Sequence, residues 1–241
     1  MTSFNYNLNN MIEIKDLTKY YGEACVLDIP ALTIRKGDSI GLVGNNGAGK
    51  TTLFSLILDL IRPTTGEISV NDVHVQRDGR WKEFTSAFID ESFLIDYLTA
   101  EEYFYFVGEL RGVRNLDVDA LLANYSDFFN DEILGKKKYL RDLSKGNQKK
   151  VGIVATFIGN PELIILDEPF ANLDPSSQFR LKKIILDLST TGAHTILVSS
   201  HDLSHTVDVS NRIIALNKGV VVKDSVTSAE TLQELEAFFA I

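Results

Sequence analysis

"GNNGAGKTT", residues Gly44–Thr52, decides how this chain is read. It follows "SIGLV", Ser39–Val43, an apolar run suited to a strand buried on both faces. It runs into "KTTLFSLILDLI", Lys50–Ile61, where Leu53, Leu56, Ile57 and Leu60 recur at helical spacing. The stretch matches G-x-x-x-x-G-K-[ST], in the strand–turn–helix setting that this pattern requires. Glycines let the backbone wrap closely around phosphates, and loop N–H groups together with a helix N-terminus favour anions. Gly44, Asn45, Asn46, Gly47, Ala48, Gly49, Lys50, Thr51 and Thr52 are therefore assigned to a nucleotide. Lys50 would reach the β- and γ-phosphates, and Thr51 would ligate Mg²⁺.

Two later segments fit the same chemistry. "LIILDEPF", Leu163–Phe170, is an apolar strand ending in two carboxylates. Asp167 would hold Mg²⁺ through water, and Glu168 would polarise a water attacking the γ-phosphate. Standing alone, the same pair could simply cap the next loop. "ILVSSHD" ends a further apolar strand at His201. A histidine there is either structural or faces the γ-phosphate.

The composition narrows the classes. The chain has 241 residues, 44% of them hydrophobic, with 24 Lys+Arg against 33 Asp+Glu and a net charge of −9. At this length roughly 70–75% of the unfolded chain's surface can be buried, which suits one large domain. The acidic balance argues against nucleic acid as a partner, because non-specific binding there is electrostatic. A single cysteine, Cys25, allows no intrachain disulfide. "MTSFNYNLNN", residues 1–10, has neither the charge nor the apolar core of a secretory signal. It reads as a polar leader before Met11, which is also a candidate start. No apolar run approaches the ~20 residues of a membrane crossing, so the chain is expected to serve a membrane only through a partner.

Short β-type runs fill the first third, including "MIEIKDL", "ALTIRKG", "EISV" and "SAFI". From Leu98 to about Gly159 the pattern is mostly helical. Strands and helices then alternate through "LIILD", "SSQFRLKKIILDLST", "HTILVSS", "DLSHTVDVS", "RIIALNK" and "VVVKD", which argues for a parallel sheet covered by helices. The fold class is α/β, with a helical insert at approximately 91–160 in one domain spanning 11–241. "SAETLQELEAFFAI" closes the chain as an amphipathic helix with Ser228 as its expected cap.

In this order the segments resemble the ATP-binding subunit of ABC transporters, over nearly the whole chain from Met11. The resemblance implies a P-loop NTPase core with an N-terminal antiparallel β part and a helical sub-domain. It places Tyr21 (Tyr20 as the fallback) against adenine, and Asp174 of "ANLD" at a dimer interface. "LSKGNQKK" falls where the family has L-S-G-G-Q followed by basic residues. Ser144, Lys145, Gly146 and Asn147 would then act on the ATP of a partner chain, with Lys145 replacing a glycine and Asn147 the glutamine. Asp90 falls where the family has a glutamine sensing Mg²⁺ and the membrane partner; a carboxylate there can also bind the ion.

The activity implied is an ATPase using ATP and Mg²⁺, paired with a second ATP-binding subunit, in a homodimer. It would drive integral membrane permease subunits from the cytoplasmic face of the cell membrane, with an exporter-like signature. A soluble iron–sulfur assembly scaffold is the alternative. Lys136, Lys137 and Lys138 lie outside the signature and read as a solvated loop or as a contact for anionic headgroups. Tyr103, Phe104, Tyr105 and Phe106 cannot all share one helix face; some belong to the core and others to a groove receiving a helix of the membrane subunit.

Overall fold

Two long strands, β1 (Asn10–Tyr21) and β2 (Ala24–Arg35), form an antiparallel hairpin around Gly22. The computed structural model describes residues 9–239. Most of the expected leader therefore lies outside the described residues, whereas Asn10 is already paired with Arg35 in the hairpin. Buried β3 (Ser39–Val43) leads through the glycine-rich loop into α1 (Lys50–Ile57). Strands β4 (Thr65–Val70) and β5 (Val73–His74) complete a four-stranded sheet in the order β2-β1-β4-β5, and β6 (Thr85–Phe88) enters a second sheet.

Helices α2 (Ala100–Leu110), α3 (Asn115–Ala123), α4 (Ser126–Phe129) and α5 (Lys145–Ala155) follow without an intervening strand. The chain then alternates: β7 (Leu163–Leu166), α6 (Pro175–Thr190), β8 (Thr195–Ser200), α7 (Leu203–Val209) and β9 (Arg212–Asn217). It ends in β10 (Val220–Val226) and α8 (Thr231–Phe239). The second sheet has the order β10-β9-β3-β8-β7-β6. Five of its strands are parallel, and only β10 runs antiparallel, on β9. The fold is thus mixed α/β, with a parallel-strand sheet and a separate antiparallel β part.

The apolar runs explain the layers. Along β7, Leu163 and Ile165 join the core that carries α1 and the antiparallel sheet, while Ile164 and Leu166 join the core beneath α2 to α6. A strand covered on both faces needs apolar residues at every position, and β7 and β3 have no exposed residue. The carboxyl ends of β3, β7 and β8 lie side by side, where ligands bind in open parallel sheets.

Two helix boundaries differ from the sequence reading. α1 stops at Ile57, and Leu60 is half exposed rather than on its buried face. Asp59 adopts φ 51°, its N–H donates to the Leu56 carbonyl at 3.2 Å, and Leu60 N–H donates to the Ser55 carbonyl at 2.9 Å. These bonds close the helix with a left-handed residue. At the C-terminus Ser228 is two residues too early to cap α8. Its N–H instead donates to Thr231 Oγ1 at 2.8 Å, making a turn ahead of the helix.

One side chain ties the helical insert to the sheet. Arg111, at the end of α2, donates to the carbonyls of Lys82 (3.1 Å), Glu83 (3.0 Å) and Thr85 and to Ser86 Oγ (2.7 Å). Arg111→Ala leaves these acceptors without their donor. It should cost about 1–3 kcal/mol, seen as a Tm lower by roughly 2–4 °C per kcal/mol in a melt of the purified chain.

Candidate nucleotide site

The loop after β3 is shaped by close approach. A Cβ on Gly44 would lie 2.4 Å from the Leu216 carbonyl oxygen, so no larger residue fits. Gly49 precedes α1 at φ 108° and has no side chain to cap the helix, which leaves the first N–H groups of α1 facing the cavity. That cavity, about 400 Å³, is lined by Asn46, Gly47, Ala48, Gly49, Lys50, Thr51 and Thr52 together with Val26 and Glu168. A helix N-terminus of this kind favours phosphate. Lys50 is buried; its Nζ donates to the carbonyl of Gly44 at 2.7 Å and stands 3.7 Å from Glu168 Oε1.

The carboxyl ends of β7 and β8 complete the wall. Thr51 Oγ1 donates to Asp167 Oδ2 at 2.6 Å, and Ser199 Oγ donates to Asp167 Oδ1. Burial pushes the Asp167 carboxyl above the usual carboxylate range, and the bonds from Ser199 and Thr51 offset this only in part. Glu168, two residues past the end of β7, adopts φ 46°. Its N–H donates to Ser199 Oγ at 2.9 Å, and its Oε2 accepts from the His201 backbone at 3.3 Å and lies 2.8 Å from His201 Nδ1. Lys50, Thr51, Asp167, Glu168 and His201 therefore come together, as the sequence predicts. Ser199 was not singled out from the sequence; its only signal is its place two residues before His201.

The remaining predicted residues sit apart from this wall. Tyr21 ends β1 and is 56% exposed, with Lys19 Nζ 4.9 Å from its ring centre; Tyr20 beside it is also exposed. Ser144 caps α5, its Oγ accepting from Asn147 N–H at 3.2 Å, and Lys145 is exposed. Asn147 Nδ2 donates to Glu132 Oε2 at 3.1 Å. Gly146 packs on the loop before α6, where an added Cβ would stand 3.0 Å from the Asn172 carbonyl oxygen.

Asp174 caps α6 by accepting from Ser176 Oγ, Ser177 Oγ and Ser177 N–H, bonds that hold its carboxyl far below the usual range. Asp90 Oδ1 accepts from Ser92 N–H at 2.6 Å and caps a short 3-10 turn, Glu91–Phe93. Of the four aromatics in α2, Phe104 is core, Tyr105 bonds Asp119, and Phe106 is partly exposed. Only Tyr103 lines the apolar groove between insert and core.

The basic run divides. Lys136, Lys137 and Lys138 are exposed, but Lys149 and Lys150 are 5% and 2% exposed. Gln148 is buried as well, with Nε2 donating to the carbonyls of Leu140 and Leu143. Burial pulls the Lys150 ammonium below its usual range, while the charges of Asp174 and Glu132 pull the other way.

Residues 27–171 match the family described as ABC transporter. This chain belongs to the ABC transporter family. An uncharacterized ABC transporter ATP-binding protein of Methanocaldococcus jannaschii is 35% identical over 88% of this chain and 76% of its own length. The bacitracin transport ATP-binding protein BcrA of Enterococcus faecalis is 32% identical over 89% of this chain and 68% of its own. A dimeric, post-hydrolysis ATP-binding cassette bound to ADP and Pi superposes with a TM-score of 0.80, covering 91% of this chain and 100% of that one. At 22% identity, that likeness establishes the fold. This ABC subunit binds ATP and hydrolyses it, and the hydrolysis is coupled to transport. Among the described residues no helix of this subunit is long and apolar enough to cross a membrane.

Because burial raises the Asp167 carboxyl, this group stabilises the fold most at low pH, and that contribution is lost as pH rises through the folded value. Asp167→Asn should therefore raise the Tm of the Mg²⁺-free subunit at pH 8. The gain should shrink as the buffer approaches pH 4, read from paired thermal melts.

Proposed function

We propose that this chain is one half of a dimeric motor in which two copies close over two MgATP and drive separately encoded transmembrane subunits in export. The observation that carries the reading is the wall of Lys50, Thr51, Asp167, Glu168 and His201 around the phosphate cavity. In it Glu168 has one oxygen held by His201 and the other 3.7 Å from Lys50.

Thr51 and Asp167 fit Mg²⁺: both offer hard oxygen donors, and they are 2.6 Å apart. No cluster of three or more His, Cys, Asp or Glu side chains able to hold a metal is found among the described residues. This suits an ion held by one carboxylate, a hydroxyl and substrate phosphates. Bound there, the ion would neutralise charge on the β- and γ-phosphates. Asp90 is a weaker candidate for a water-mediated contact.

The N–H groups of the loop from Gly44 to Thr52 bind the phosphate chain, and Tyr21 stacks on adenine. Glu168 orients a water and takes its proton as the water oxygen attacks the γ-phosphorus. The bond to the β-phosphate oxygen breaks, and ADP leaves with the electron pair. Lys50 and the dipole of α1 stabilise the charge, so the rate comes from positioning and electrostatics.

Ser144, Lys145, Gly146 and Asn147 at the start of α5 complete the partner chain's site, with Asp174 near the interface. The dimeric cassette with ADP and Pi supports this pairing. The groove of about 320 Å³ lined by Leu58, Trp81, Phe88, Phe93, Leu94 and Tyr103 suits a short helix of a membrane subunit. The ATP-binding protein of a lipopolysaccharide export system in Haemophilus influenzae, 29% identical over 88% of this chain, supports export. In a cell the subunit would then sit on the cytoplasmic face of the membrane.

Glu168→Gln removes the base but keeps the size of the side chain. Turnover should fall at least about 100-fold while ATP affinity is retained, and ATP should trap a dimer visible by size-exclusion chromatography. Unchanged hydrolysis would take Glu168 out of the role. The partner is tested by purifying the tagged chain from its host in mild detergent. A polytopic membrane protein in stoichiometric amount is expected. Recovery with soluble partners alone would replace the transporter reading by the assembly-scaffold alternative.

A further inference from the structure

Lys149 is a buried cation that the scheme above does not use. It sits in the second turn of α5 and is 5% exposed. Its Nζ donates to the backbone carbonyl of Glu168 at 2.9 Å and stands 3.5 Å from Glu91 Oε1, with the Phe88 ring centre 5.9 Å away. Glu91 is itself largely buried and begins the 3-10 turn at the rim of the apolar groove.

The approach is built into the helix. One turn further along α5, a Cβ on Gly152 would fall 2.3 Å from the Phe88 ring and 3.3 Å from Leu94. Glycine at that position lets α5 lie against β6, near enough for Lys149 to reach the end of β7. The carbonyl it holds belongs to a peptide in the left-handed region, at φ 46°. A non-glycine residue occupies that region only where the surroundings hold it.

We propose that Lys149 is a positioning residue for hydrolysis: it pins the Glu168 peptide in the conformation that aims the carboxylate, and Glu91 keeps the lysine in place. The proposal rests on Glu168 as the group that activates water. A pinned peptide affects the attack, not the grip on ATP, and misplacement of a catalytic group by about 1 Å can cost up to 100-fold in rate.

Three variants of the full chain test this: Lys149→Met, the neutral pair Glu91→Gln/Lys149→Met, and Glu168→Gln as reference. Steady-state ATPase activity, ATP binding and Tm are measured for each. Lys149→Met should lower kcat about tenfold or more, with KM for ATP within about threefold. The double variant leaves no buried unpaired charge and so folds even if the single one does not. It should show the same loss, because the bond to the Glu168 carbonyl is still missing. Wild-type kcat in either variant would overturn the proposal, and recovery in the double variant alone would reduce Lys149 to a counter-ion. Loss of ATP affinity in step with kcat would also overturn it in favour of a structural role. If Glu168→Gln keeps full turnover, the reading of Glu168 fails and the proposal falls with it. If only that variant is inactive, the reading stands and Lys149 is discarded.

Discussion

The buried carboxylate of Asp167 is the constraint on which the site depends. A charge taken out of water is costly unless donors surround it, and here the donors come from two other segments: Thr51 opens α1, and Ser199 lies in β8. Satisfying one carboxylate therefore fixes the loop after β3, the end of β7 and the adjacent strand relative to one another. Ser199 serves both acidic residues, because its hydroxyl also accepts the Glu168 N–H at 2.9 Å. Glu168 can then turn out of the strand, toward Lys50 and His201, only through a left-handed backbone.

Helix α5 forms the second layer, brought in by absent side chains and held by buried charges. Gly152 lets it touch Phe88, and Gly146 lets it touch the loop before α6. Between these contacts Lys149 reaches the Glu168 peptide, while Lys150 lies over the Phe128 ring within the field of Asp174 and Glu132. In a chain with a net charge of −9, these two lysines face inward to acidic groups and a carbonyl, where they order the interior.

The glycine-rich loop after β3 was legible because its glycines, lysine and threonine stand at the fixed spacing that contact with phosphate would impose. The parallel sheet was legible because strands covered on both faces must be apolar throughout. What sequence could not supply was direction. The sequence marks "QKK" only as the residues that follow the signature, and all three are buried, since only the packing of α5 decides which way its side chains point. Ser199 looked like any strand serine until β8 lay beside β7. Leu60 kept the helical rhythm, but an aspartate two residues after Ile57 took the left-handed turn that ended α1. Which aromatics of α2 face inward was not legible either: only the helix's fixed rotation puts Phe104 in the core and Tyr103 at the apolar groove.

The helical insert is fastened to the sheet at both ends of β6, by bonds of different character. At the amino end, Arg111 binds three carbonyls and a hydroxyl around Thr85 and Ser86. These neutral acceptors hold a guanidinium that stays charged at any working pH. At the carboxyl end, Lys149 holds a single carbonyl and one carboxylate beside Phe88. Four bonds resist rotation better than two, so a force on the groove would turn the insert about the amino end of β6. The displacement is then greatest at the carboxyl edge, where α5 begins and the Glu168 peptide lies. A groove lined by Phe88, Phe93 and Leu94 lies close to the looser fastening. The geometry thus puts the more loosely fastened end of the insert beside Glu168, the residue proposed to activate water.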